Sequence, residues 1–487
     1  MESQGGTSYP LIRRSACYDA VVLVPGIMGS RLYDTENNCW VWGMEQVVQY
    51  SLRWRHRRGL RALHVTDAER EGRTGRIKAC GLLEAPAWAP VLRGQEPYRD
   101  LVDGLRTAVA HPDAILEFAY DWRLSVDHNA TLLARAATDH LAAWRRHPAY
   151  DKARQADPDA RDAQLVMLAH SMGGLLCWAM AGISGASDDV RATLTFGTPF
   201  QGAVKTTEML NSGRGAPGLL SRKHVGELAK TLPGLHDLLP TYRCMQGRDG
   251  LSALTVSDVA AIGGDADLSK ETFERFRRLA DTTMVGHRRF VGTGQETSQS
   301  LRMVDGRVLP MNYRVRLGPD GAVVTDPRTR RPIADNHKGD GTVYRYAGDF
   351  PGTEENTVVQ QHQSLGRSKT VIDAAYGLLT HIPEREFVLG KAELGLVVPE
   401  FVPVGEPFDI VATDVTEPDR VSCRVENTGS YDETVARPTL YRRDHDDQVT
   451  ATVTIRQPGL YRVAVSGGAE PVTQLVMVDR LDNDDSD

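Results

Sequence analysis

Through residues 1–392, short apolar runs alternate with longer stretches whose apolar positions recur every three or four residues. AVVLVPG (20–26) reads as a buried strand stopped by Pro25-Gly26, and AILEFAYDW (114–122) as a second strand. The helix TLLARAATDHLAAWRRHP follows, with Leu133, Ala137, Leu141 and Trp144 on one face and Pro148 closing it. QLVMLA (164–169) is a third strand, and a helix is expected straight after Ser171. ATLTFGTPFQG (192–202) and HRRFVGTG (287–294) supply a fourth and a fifth. Right-handed crossovers between such strands give an α/β fold, with a doubly wound, mostly parallel sheet.

Two segments break the rhythm, residues 40–95 and 203–285, and insertions of this size predict lids or caps over a site. RMVDGRVLPMNYRVRLGPDGAVVTDP predicts a hairpin excursion. From residue 393 to 480 the period changes to two. Val449, Ala451, Val453 and Ile455 share one face, and Tyr461, Val463 and Val465 repeat the pattern. A small β-sandwich of immunoglobulin-like type is predicted there, with an acidic tail over 481–487.

A composition of 41% hydrophobic and 25% charged residues suits a packed core, and a net charge of −7 argues against nucleic acid as partner. The one local basic cluster, RWRHRRGLR (53–61), reads as a solvated face, with an anionic-lipid contact as the alternative. No apolar signal-type segment opens the chain, and no stretch is long and apolar enough for a membrane-spanning helix. The six scattered cysteines form neither a disulfide framework nor a zinc spacing, so a cytoplasmic protein with reduced thiols is expected.

The chemistry concentrates in AHSMGG. A nucleophilic serine on a sharp strand-to-helix turn needs small residues two positions before and after it, and here these are Ala169 and Gly173 around Ser171. The Met172 amide is one expected oxyanion donor, and the loop VPGIMGS offers the second at Ile27. The acid and base should follow the serine, as Asp340 in NHKGDGTVYRY, ahead of a strand-like run, and His362 in QHQSL. Asp335, Asp349 and His337 are rivals nearby. His170 is expected to point away from the cleft in a structural role, and Cys177 to pack in the core. DNHKGDG lacks the spacing and closing glutamate of a calcium loop.

The motifs VPGIMGSRL, CWVW, YDWRLS, AHSMGG, FGTPFQG, LLPTYRC, GDGTV and HQSL occur in this order over residues 20 to 380. In this the chain resembles the lecithin:cholesterol acyltransferase and phospholipid:diacylglycerol acyltransferase family, within the α/β-hydrolase superfamily. The resemblance implies a mobile lid, an acyl-enzyme intermediate, the triad Ser171, Asp340 and His362, and the oxyanion pair Ile27 and Met172. It maps the tryptophan-bearing lid segment to Trp40 and Trp42, which would either touch acyl chains or serve as buried core tryptophans. It also assigns a bracing role to Tyr120, Asp121, Trp122 and Arg123, with Asp121 and Arg123 interacting. Cys39 and Cys80 are too widely spaced to read as its lid disulfide, and the β-domain lies outside the resemblance.

The expected function is a serine-dependent lipid acyl-ester enzyme, an O-acyltransferase or a phospholipase or lipase. Alternatives are an esterase or thioesterase on a non-lipid ester, or an inactive binding or effector protein. No cofactor or metal is called for. The expected partner is a lipid or other ester, with transient membrane-surface contact compatible.

Overall fold

The computed structural model describes residues 16–43, 61–89, 93–156, 161–212, 222–247, 250–318, 322–380, 394–415, 417–429, 433–442 and 447–480. The basic cluster up to residue 60, parts of both predicted lid segments and the acidic tail lie outside the described residues.

Six parallel strands form the central sheet: β1 (Ala20–Val24), β2 (Ile115–Glu117), β3 (Leu165–His170), β4 (Val190–Phe196), β5 (His287–Thr293) and β6 (Glu355–Val359). Their order across the sheet is β6-β5-β4-β3-β1-β2. The chain leaves β1 toward one edge and returns on its other side at β3. Strand order therefore reverses there and leaves a crevice at the carboxyl ends of β1 and β3, the usual ligand position in open α/β sheets. β1 and β3 are buried at every residue, as central parallel strands should be. The edge strand β2 is shorter than expected. Beyond Glu117 the chain turns off the sheet, because Ser30 takes the Tyr120 amide on Oγ (3.1 Å) and the Trp122 indole N–H on its carbonyl oxygen (3.3 Å). β6 was not foreseen. Its sequence ENTVV is half polar, as its half-exposed edge position allows.

Helix α1 (Val126–Trp144) begins earlier than predicted because Ser125 caps it, accepting from the His128 amide at 3.2 Å; the four predicted face residues are all buried. Helix α2 (Met172–Ala181) starts straight after Ser171. Gly173 lets its first turn approach β1, since a Cβ there would lie 2.5 Å from the Val24 carbonyl oxygen. The 40–95 segment contributes to a three-stranded antiparallel sheet of Ser30–Asp34, Cys39–Trp42 and Ile77–Leu82, and holds the hairpin Ala87–Ala89/Arg93–Gln95. The 203–285 segment is helical, opening with α3 (Val204–Ser212). The predicted excursion is a hairpin of Ser300–Val304 with Arg307–Met311. After β6, helix α4 (Lys369–Thr380) completes the α/β region. Among the described residues no helix is long and apolar enough to cross a membrane.

The C-terminal region is a β-sandwich. One sheet holds β7 (Gly395–Val397), β9 (Pro407–Thr413), β13 (Gln448–Thr454) and β12 (Tyr441–Arg442). The other holds β8 (Phe401–Pro403), β15 (Val472–Asp479), β14 (Gly459–Ser466), β10 (Ser422–Asn427) and β11 (Glu433–Ala436). Tyr461, Val463 and Val465 fill the space between the sheets, as the alternation predicted. The opposite face of β14 is buried too, against the region of the central sheet. Leu460, Leu475 and Met477 join the core built by β1, β3 and α2, so one apolar core crosses between the two regions.

Candidate active site

Ser171 is the pivot between β3 and α2, with φ 52° and ψ −125°. A non-glycine residue in such a conformation costs about 1–3 kcal/mol and persists only when its surroundings enforce it. Here the Ser171 amide is held by the Phe196 carbonyl oxygen at 3.0 Å, and Ala169 sits buried in β3 beneath the turn. Gly26 faces the serine so closely that a Cβ would lie 2.9 Å from Ser171 Cβ. The strand-turn-helix therefore presents the hydroxyl at the crevice.

His362 Nε2 stands 2.8 Å from Ser171 Oγ, and its Nδ1 stands 2.7 Å from Asp340 Oδ2. The other Asp340 oxygen accepts from the Thr342 and Val343 amides at 3.0 and 2.6 Å, and the Asp340 carbonyl oxygen accepts from the His362 amide at 2.8 Å. All three side chains are buried. Asp340 lies far in sequence from β5 but is tied to its end, because Gln295 and Gly339 exchange backbone hydrogen bonds at 2.9 and 3.0 Å. The run after Asp340 is not a strand as expected; it closes into a 3₁₀ turn at Arg345–Gly348. The rivals are engaged elsewhere. Asp335 pairs with Arg316 at 2.5 Å, Asp349 with Arg289 at 3.1 Å, and His337 packs edge-on against Tyr346.

Ile27, on the loop after β1, lines the serine cavity, and Met172 follows Ser171 as the first residue of α2. Neither amide is taken by a protein acceptor among the described residues, which suits donors kept for an oxyanion. The loop carrying Ile27 is fixed by a contact the sequence did not announce. The Gly26 amide donates to the Tyr98 hydroxyl (2.8 Å), which lies 2.7 Å from His170 Nδ1, and His170 Nε2 lies 3.1 Å from the His362 carbonyl oxygen. The His362 carbonyl oxygen can only accept, so His170 donates from Nε2, and in the neutral ring its Nδ1 accepts the Tyr98 proton. Burial, then the nearby His362, hold His170 well below the usual imidazole range, so it is neutral. His170 is structural as expected, but it borders the cavity rather than turning away. No motif surrounds Tyr98, which sits 72 residues from both partners.

The hydroxyl opens into a cavity of about 30 Å³, walled by Ala203, Lys205, Met209, Leu235, Leu238 and Val343. That is room for roughly one water molecule, too little for an acyl chain. A larger groove of about 590 Å³, lined by Trp178, Phe200, Phe273, Phe276 and Phe350, lies behind the Pro199–Phe200 corner and does not include the serine.

Trp40 and Trp42 do not line the serine cavity, and Trp42 takes the alternative reading of a core tryptophan. Trp42 is fully buried, donates from its indole N–H to the Met28 carbonyl oxygen at 2.6 Å, and meets Trp122 edge-on at 6.0 Å. Trp40 lies under the Arg31 guanidinium at 4.1 Å. An indole with a backbone acceptor is a core anchor rather than a mobile lipid contact. The YDWR segment does brace: Arg123, fully buried, binds Asp121 at 2.6 Å and Glu69 at 2.8 Å. Cys39 and Cys80 are unpaired thiols, and burial pushes the core thiol of Cys177 up to about 12.

Among the described residues, His111, Asp113 and His147 have side-chain donor atoms within 4.8 Å of one another. Both histidines, however, accept a backbone N–H at Nδ1, from Asp113 at 3.2 Å and from Ala149 at 3.1 Å. In each ring the Nδ1 lone pair is thereby already engaged.

The sheet, the strained serine turn and the site behind it define an α/β-hydrolase. Within that class, residues 90–307 match the family model described as lecithin:cholesterol acyltransferase. The matched span holds Ser171, Met172 and Tyr120–Arg123, while Asp340 and His362 lie beyond it. Among solved structures, a chain of the Tle4–Tli4 complex is similar at 14% identity, covering 75% of this chain and 99% of that one, with a TM-score of 0.45. The Bacillus licheniformis lipase BlEst2 in its mature form is similar at 11% identity, covering 75% and 92%, with a TM-score of 0.31. A superoxide reductase (neelaredoxin) from Ignicoccus hospitalis is similar over 17% of this chain and 77% of its own, at 14% identity and a TM-score of 0.13. No curated protein matches.

Proposed function

We propose that the protein is a serine-dependent lipid acyl-ester enzyme working through an acyl-enzyme on Ser171. His362 Nε2 takes the Ser171 proton as Oγ attacks the ester carbonyl carbon, and the negative charge moves to the carbonyl oxygen between the Ile27 and Met172 amides. The tetrahedral species collapses, and the ester C–O bond breaks. The leaving alcohol takes the proton from His362 and departs, leaving the acyl group on Ser171. Water or an acceptor alcohol then attacks the acyl carbonyl, giving its proton to His362, which returns it to Ser171 Oγ as the acyl product leaves. Asp340 holds His362 in the tautomer that makes Nε2 the base and stabilises the imidazolium between these steps. Hydrolysis or transfer depends on how well the closed wall excludes water during the second half.

The observation that carries this reading is the continuous line from Ser171 Oγ through His362 to Asp340, with contacts of 2.8 and 2.7 Å. A fluorophosphonate probe is expected to label the wild type and not Ser171→Ala. Incubation with mixed phospholipids separates the two outcomes, since lysolipid plus free fatty acid marks hydrolysis and a new ester marks transfer. A wild-type protein that stays unlabelled and turns over no ester would refute the reading.

A further inference from the structure

Three parts of the serine site rest on the C-terminal β-sandwich. The first is the turn bearing His362. Gln360, only 3% exposed, donates from Nε2 to the Pro471 carbonyl oxygen at 2.9 Å, and its Oε1 accepts from the Thr473 and Gln361 amides at 2.9 and 3.0 Å. Gln361 donates to the Leu396 carbonyl oxygen at 2.8 Å and to Gln295 Oε1 at 3.0 Å; the latter oxygen also accepts from the Leu396 amide at 2.9 Å. Ser364 Oγ reaches the Thr473 carbonyl oxygen at 3.2 Å. Glu470 accepts from Ser368 Oγ at 2.6 Å and from the Lys369 amide at 2.8 Å, closing the start of α4.

The second part is the strand Arg93–Gln95, whose Gln95 borders the serine cavity. Gly94 meets β15 so closely that a Cβ would stand 2.3 Å from Leu475 Cβ. The neighbouring Glu96 carboxylate is buried and bound by Arg462 at 2.6 and 2.9 Å. The third is Lys205 on the cavity wall, 3.4 Å from Glu400.

A tethered recognition module would meet the catalytic region through a polar, wet surface. Here Gln360, Gln361, Ser364 and Ser368 are all buried, and each is bonded to the sandwich. Asp340 orients the His362 ring, but the position of the turn beneath that ring is set from the other side. We propose that the β-sandwich is the positioning element of the site, fixing the His362 turn through Gln360, Thr473 and Glu470 as positioning residues. This rests on the reading of Ser171, Asp340 and His362 given above. A displacement of about 1 Å at a reacting group costs about 100-fold in rate, so loss of these bonds should fall on turnover more than on binding.

The test uses the full chain. Gln360→Met keeps side-chain length and removes three hydrogen bonds; Thr473→Val removes only the hydroxyl contact to Ser364, at 2.9 Å. Tyr441→Ser, on the exposed sheet of the sandwich, is the control. With a soluble short-chain ester, Gln360→Met is expected to lose at least about tenfold in kcat with KM within about twofold. The low-field proton resonance of the His362–Asp340 hydrogen bond is expected to shift or broaden, while Tyr441→Ser matches wild type on both readouts. Should Gln360→Met fail to fold, Thr473→Val reports the same effects at smaller size. A folded variant with wild-type kcat and an unmoved resonance overturns the proposal, as does a loss that merely follows the fraction unfolded. If the wild type itself neither labels nor turns over, the catalytic reading fails, and the resonance alone still decides whether the sandwich sets His362.

Discussion

Replacing Tyr98 by Phe would remove one oxygen and leave the ring where it is, edge-on to His170 at 5.7 Å. Two buried polar groups lose their partner, the Gly26 amide and His170 Nδ1. Each unsatisfied group costs about 1–3 kcal/mol, so a stability loss of about 2–6 kcal/mol is the upper range before water or relaxation repairs it. The kinetic effect has a separate origin. Gly26 is bonded next to Ile27, and without the Tyr98 oxygen the loop can turn its amide away from the serine. One oxyanion donor is worth about 3 kcal/mol of barrier, or roughly 100-fold in kcat. Formation and breakdown of the acyl-enzyme both pass through an oxyanion, so Tyr98→Phe should slow fluorophosphonate labelling and ester turnover together, with KM little changed. Stopped-flow acylation with a chromogenic ester, beside thermal denaturation, measures both effects. A folded Tyr98→Phe protein with both rates within about twofold of wild type would refute the reasoning.

Other outcomes follow from single contacts. Asp340→Asn keeps the shape but favours the wrong imidazole tautomer, and kcat is expected to fall about 10⁴-fold with the fold intact by circular dichroism. Gly292→Ala puts a Cβ 2.4 Å from Asp340 Cβ; kcat should fall while a distant-probe stability measurement changes less. Arg123→Met takes the cation from the partly buried Asp121 and one of two from buried Glu69, which keeps Arg76 at 3.0 Å, so chemical denaturation should register a loss at or below about 3 kcal/mol. His287 sits between Thr195 and Thr353, and burial, then Arg289, push it down to about 4 from the usual 6.5. Its neutral form is favoured by folding, so that stability is complete above pH 6.5 and is lost as pH falls from 6.5 toward 4, amounting to about 3 kcal/mol. His287→Gln should flatten this part of the stability curve measured by urea denaturation.

The central sheet could be read from the chain because β1 and β3 are buried on both faces and appear as unbroken apolar runs, each ended by a glycine-bearing turn. Ser171 was legible for the same reason, since the period switches from strand to helix at that residue. The edge strands were harder. β2 is cut short by Ser30, a residue from another loop, and β6 carries polar residues toward solvent. The role of Trp42 stayed open in the sequence because an aromatic residue looks the same whether it faces a lipid or fills a core; the Met28 carbonyl oxygen that places it in the core is local to the fold, not to the motif. Tyr98 and Gln360 gave no signal at all. Their partners are 72 and more than 100 residues away, and no periodicity records such pairings. β14 shows the same limit, since alternation foretold one buried face and the second is buried by a neighbour outside the sandwich.

The apolar core that runs through Leu460, Leu475 and Met477 into the central sheet has a consequence for synthesis. On the ribosome, Ser171 and the elbow can form while the last strands are still unmade, since domains begin to fold as they emerge. Until residues 470–479 are added, the imidazole at 362 stands on an unfinished foundation. On the proposed reading of Ser171, reactivity toward esters should therefore be dormant in the nascent chain and awaken late.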